Sequence, residues 1–185
     1  ADATVVGDVT ALTTIAIGAD AKVEGNVNAT STVALGANGE VDGNVIAGST
    51  VALGAGSSVT GYVSAGTTVA LGAGSHVDGA VTSLNSTVTL GVDSYVKGLT
   101  IADSSATLGA GAYACKTVTA GSAATLGAGS FVVGDLDAVT MTLAAGAFVT
   151  GEIAGTTATV GADGCYGSTP GIGFDGHLTT LTQGA

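Results

Sequence analysis

Arginine is absent from this sequence, and only three lysines, Lys22, Lys97 and Lys116, stand against fourteen acids. With a formal charge of −11, the chain has little to neutralise a run of phosphates and no guanidinium to read a base edge. Nucleic acid is excluded as a main partner. The same charge repels anionic lipid headgroups, so a membrane surface is excluded with it. Aromatic residues are 4% of the 185, and four Tyr with three Phe cannot build the two girdles of an outer-membrane barrel. Proline occurs once and glycine keeps no three-residue period, which excludes collagen. Long apolar runs are missing too. The stretch 43–77 carries no Asp, Glu or Lys, but Gly, Ser and Thr interrupt it before it reaches the ~20 apolar residues of a spanning helix. His76 and His177 stand apart, as do Cys115 and Cys165, so no spacing points to a metal site, and no metal or cofactor is expected.

What remains is abundant and repetitive. Glycine numbers 32 and apolar residues make up 46%, too apolar for a disordered tail. STVALGANGEVDGNVIAG (31–48), STVALGAGSSVTGYVSAG (49–66) and TTVALGAGSHVDGAVTS (67–83) are copies of one unit. The phase markers Ile17, Leu35, Leu53, Leu71, Leu90, Leu108, Leu126, Leu143 and Val160 follow each other at 17 to 19 residues. The fragment VVGDVT (5–10) precedes them as an incomplete turn.

Within a unit the alternation has the period of a strand. In 49–66 the inward set is Val51, Leu53, Ser57, Val59, Val63 and Ala65, two residues on each of three short sides. The unit therefore predicts an all-β fold: a triangular parallel β-solenoid of about nine 18-residue coils with capped ends, right-handed in its expected sense. The predicted division is an N-terminal cap or partial coil over 1–12, the solenoid over 13–160, and an irregular cap or folded-back tail over 161–185. Corner dihedrals that need glycine are expected at Gly25, Gly43, Gly61, Gly79, Gly98, Gly134 and Gly151.

The outward columns differ in character. One side carries Thr14, Thr32, Thr50, Thr68, Thr87, Ser105, Ala123, Thr140 and Thr157. Beside it run Ala16, Ala34, Ala52 and Ala70, continued by Thr89, Thr107, Thr125, Thr142 and Thr159. A glycine-rich column and a Ser/Thr corner flank these two, and none of the four holds a charged residue. The other sides accept charge freely, with Lys22, Glu40 and His76 in one column and Glu24, Asp42, Asp78 and Lys97 in its neighbour. β-propensity explains threonine anywhere in a strand, but not the exclusion of charge from one side alone. A flat array of hydroxyls and methyls, spaced ~4.7–4.9 Å along the stack and ~6.6–6.8 Å along a strand, approximates oxygen repeats on planes of ice. Threonine is stiff at χ1, so the array is ordered before it binds. These Thr, Ser and Ala residues are the expected ice-binding surface.

The segment 104–153, through Ala114-Cys115, SAATLGAGSFVVG (122–134) and TMTLAAGAFVTG, resembles the closing coils of the microbial ice-binding protein family. That resemblance implies a secreted right-handed β-solenoid, although the long flanking helix of that family has no counterpart here. The Thr rows resemble the threonine arrays of insect antifreeze solenoids. A second resemblance, through V-x-L-G-x-G-x-x-V-x-G-x-V-x-A, is to bactofilins, bacterial cytoskeletal polymers, and implies self-assembly. Polymers need uncapped apolar ends. Since caps are expected, a monomer that binds the surface of ice crystals is the first reading and a bactofilin-like structural solenoid the alternative. Hexapeptide acyltransferases share L-G-A-G-S-x-V, but His76 has no protruding loop beside it, and no enzyme is expected.

Four smaller expectations complete the reading. Ala1 in place of an initiator Met suits an exported chain whose signal has been removed, so an extracellular location is expected. A disulfide is expected between Cys115 and Cys165. Three coils, or ~14 Å, separate the two in a regular stack, so the bridge requires the chain to leave the solenoid around 161–164. Asn28-Ala-Thr30 and Asn85-Ser-Thr87 are glycosylation sequons. Tyr95, Tyr113, Phe131 and Phe148 form an aromatic ladder near one corner.

Overall fold

Val51, Leu53, Ser57, Val59, Val63 and Ala65, the inward set of one unit, are all 4% exposed or less. Their neighbours along each strand turn outward, as a period of two requires. The structure, a computed structural model, describes residues 3–162, 165–166 and 180–183. Among the described residues it is a parallel β-solenoid of about nine coils with no helix.

Each coil contributes one short strand to each of three faces. The first face holds ten strands, from Thr4–Val6 through His76–Val77 to Cys165–Tyr166. The second runs from Val9–Ala11 to Ile153–Ala154, and the third from Ile15–Ile17 to Thr180–Gln183. Every pairing is parallel and joins equivalent residues of adjacent coils, as in Thr68↔Thr50 and Val63↔Val45. Two late strands, Val118–Leu126 and Leu136–Leu143, run unbroken around the corner from the second face to the third. The interior is one continuous stack of Val, Leu and Ala. Burying these side chains between rungs drives the fold, because one coil alone cannot cover its own apolar interior.

The corners work differently from the sequence expectation. Positive φ recurs at the corner between the third and first faces, at Asp20, Asn38, Gly56, Gly74, Asp93, Gly111, Gly129 and Gly146. In the column from Gly25 to Gly151 only Gly134 has positive φ. Glycine is needed there for close approach instead. A Cβ on Gly79 would lie 2.6 Å from the backbone carbonyl of Gly61.

The coil of 19 residues is absorbed at one corner. Ser83 still pairs with Ala65, whereas Val88 pairs with Val69. Between them the buried Ser83 hydroxyl donates to the Thr67 carbonyl and accepts from the Ser86 amide at 3.2 Å. One side chain thus spans the gap that the extra residue opens.

At the N-terminal end, Thr4–Val6 and Val9–Ala11 are strands in register with the next coil. Val5 is 45% and Leu12 87% exposed. At the other end, the described strands of the expected tail continue the stack. Thr180–Gln183 lies parallel to Thr157–Val160, not folded back along it. The register offset widens there from 17 to 23 residues, which hid this rung from the repeat.

The expected disulfide is not formed. Cys115 is a free thiol. Cys165 pairs with Phe148 in the first-face ladder, three rungs beyond Tyr113. The strand that should have left the stack stays in it, so the ~14 Å separation remains.

Candidate functional surfaces

The exterior of the third face is the most uniform surface of the molecule. Its ladder aligns Thr32, Thr50 and Thr68, then Thr87 with Ser105, Ala123, Thr140 and Thr157. Thr14 lies one residue before the strand Ile15–Ile17. The second column aligns Ala16, Ala34, Ala52 and Ala70 with Thr89, Thr107, Thr125, Thr142 and Thr159. At the corner, Ser31, Ser49 and Thr67 each donate a backbone N–H to the carbonyl one coil below at 2.8–2.9 Å. The Thr67 hydroxyl also donates to the Ser49 carbonyl at 3.0 Å. Thus the expected Thr, Ser and Ala positions do share one side. The register adds Thr180 and Thr182, aligned with Thr157 and Thr159. Nothing in the repeat marked them, because the chain between the rungs is six residues longer than before.

The first face is charged at one end and aromatic at the other. Lys22 Nζ bridges Asp42 at 2.8 Å and approaches Glu24 and Glu40 at 3.7 and 3.9 Å. Lys97 Nζ lies 2.6 Å from Asp78 Oδ1, which His76 Nε2 also contacts. The Lys97 hydrogen bond first, then His76, hold the Asp78 carboxyl below its usual range. The aromatic ladder has five rings, since His76 stacks on Tyr95 at 4.8 Å ahead of Tyr113, Phe131 and Phe148. The Cys115 Sγ and the Tyr95 hydroxyl are hydrogen-bonded at 2.9 Å. That hydrogen bond first, then desolvation, push the Tyr95 phenol up to about 12.

Along the corner between the first and second faces runs a side-chain ladder that sequence reasoning missed. Asp8 Oδ1 accepts the backbone N–H of Asn26 at 2.7 Å and its Nδ2–H at 3.1 Å. Asn26 Oδ1 repeats both bonds to Asn44, at 2.9 and 3.1 Å. Asn44 Oδ1 accepts the Tyr62 N–H at 3.0 Å. The signal was present as Asp8, Asn26 and Asn44 at intervals of 18.

The N-terminal end is a surface in its own right. A hollow of about 210 Å³ opens into the interior, lined by Val5, Val9, Ile15, Ile17 and Val23. Its rim consists of the edges of three strands that have no further strand partner among the described residues. Such an edge is a template for another strand.

Fold and surfaces together define a parallel β-solenoid with long side-chain ladders. In comparison with known families, residues 1–82 match the bactofilin family, described as polymer-forming cytoskeletal. The match covers less than half of the chain and ends at Thr82, beside the corner that absorbs the inserted residue. No curated protein and no solved structure matches the chain.

Proposed function

We propose that this chain is a self-assembling structural β-solenoid, not an enzyme, which builds filaments by stacking coils end to end. The observation that carries this reading is the in-register stack of parallel coils with an apolar hollow at the first described coil, inside the segment that resembles the polymer-forming family. A second molecule stacked there continues the hydrogen-bond ladders and covers Val5 and Val9. Negative-stain microscopy of the purified protein at micromolar concentration tests it. Filaments about one solenoid wide are expected, and monodisperse particles at every concentration would refute the reading.

A second reading rests on a different observation, the charge-free exterior of the third face. A Thr/Ala/Gly surface extending over nine rungs in a protein of charge −11 suits adsorption to ice, and an extracellular location belongs with it. Thr87→Tyr sets a ring in the middle of this array without touching the core, so thermal hysteresis falls to a small fraction while the melting temperature holds. Thr60→Tyr makes the same change outside the array and leaves hysteresis intact. Equal effects of the two, or no hysteresis in the parent protein, reject the ice reading.

A further inference from the structure

A groove of about 310 Å³ lies along the corner between the first and second faces. Its volume stands at the lower end of the range of small-molecule sites, ~300–1,000 Å³. Asp8, Asn26 and Asn44 line one side, Thr10, Asn28 and the apolar Ile46 the other, and the half-exposed Tyr62 stands at the end. The hydrogen bonds of the ladder leave its members partly unspent. Asn26 and Asn44 each use the amide oxygen and one Nδ2–H, so a second N–H remains on each. Asp8 receives both of its bonds on Oδ1, which leaves Oδ2. Thr10 and Asn28 offer a hydroxyl and an amide from the opposite side.

The groove thus combines donors and acceptors that the fold has already oriented, repeated at the rung spacing, with one aromatic ring. This is the chemistry that recognises a polyhydroxylated ring: paired hydrogen bonds to vicinal hydroxyls and packing of C–H groups on an aromatic side chain. Each unit of an extended β-linked pyranose chain advances by about 5 Å, close to the ~4.8 Å rise between coils, so every sugar meets a rung, with alternate units turned over. The chain's charge of −11 and the Asp8 carboxylate oppose an acidic polymer. We propose that this groove binds a neutral β-linked oligosaccharide, about three sugar units lying along the solenoid axis. The proposal goes beyond self-assembly and does not depend on it.

Isothermal titration of the whole protein with cellohexaose tests the assignment, with hexagalacturonate as the acidic probe. Binding of cellohexaose at millimolar affinity or better is expected, with at least tenfold weaker binding of hexagalacturonate. Tyr62→Ala removes the ring but keeps the backbone N–H that Asn44 accepts, and Asn28→Ala removes the facing amide. Each weakens cellohexaose binding at least fivefold, while circular dichroism and any filaments stay unchanged. If Tyr62→Ala does not fold, Asn28→Ala alone decides. No heat with cellohexaose, equal binding by parent and variants, or equal binding of the acidic probe overturns the proposal.

Discussion

Glycine serves two separate purposes at the corners, and single substitutions separate them. Gly79→Ala places a methyl 2.6 Å from backbone atoms of Gly61 and from the Tyr62 nitrogen, so two coils must move apart. Gly74→Ala meets no atom within 4 Å and suffers only from its φ of +65°. Urea unfolding should show about 1 kcal/mol lost at Gly74, the usual cost of a left-handed residue. A loss of about 2–3 kcal/mol is expected at Gly79, as for an overpacked interior. The glycine columns were legible in the sequence, but their causes were not. A repeat shows where glycine recurs without showing whether φ or a neighbouring backbone demands it.

The Tyr95 phenol gives a second measurement at this scale. Its folded pKa of about 12 lies above the ordinary value of 10.0, so its contribution to stability is complete below pH 10 and is lost as pH rises towards 12. Ultraviolet titration should resolve one tyrosine ionising near 12, and Cys115→Ala should return it towards 10. Asp78 runs the opposite way. Its carboxyl is held below the ordinary value of 3.8, so its contribution is present above that pH and lost as pH falls through the depressed folded value. Carbon-detected NMR should find the Asp78 pKa higher in Lys97→Met.

At the scale of strands and corners, the strongest local dependence is on Ser83. Its hydroxyl is buried where the 19-residue coil takes in its extra residue, and it answers both the Thr67 carbonyl and the Ser86 amide. Ser83→Ala leaves both groups without that partner and should cost about 1–3 kcal/mol by thermal or urea unfolding. Ser75→Ala removes a single bond to the Gly72 carbonyl and should cost less. The alternation of Val51, Leu53, Val59 and Val63 announced the three faces because period two and burial agree at every rung. The Asp8–Asn26–Asn44 ladder repeated just as regularly, yet stayed unread because polar corner residues look like ordinary solvated surface. Thr180 and Thr182 escaped for another reason: length, not chemistry, breaks the pattern before them.

For the whole molecule, the decisive contrast is between the covered interior and the more exposed first described coil. Val5 belongs to the inward column, paired with the buried Val23, yet it is nearly half exposed. Val5→Asp puts a charge into the mouth where a second molecule would stack. Filaments should disappear, with sedimentation showing monomers, while the circular dichroism of the solenoid is unchanged. Filaments that persist in Val5→Asp would move the assembly contact to another surface.

The strands Thr32–Leu35, Thr50–Leu53 and Thr68–Leu71 carry the same four residues, TVAL, in unbroken parallel register. Excision or duplication of one 18-residue span there joins chemically equivalent rungs at each new junction. Unequal recombination between the corresponding stretches of the gene would therefore yield a foldable chain more often than chance allows. Each such event changes the length of the molecule by one step of ~4.8 Å. The repeat thus makes the solenoid a ruler graduated in whole coils, whose reach can evolve without a new core.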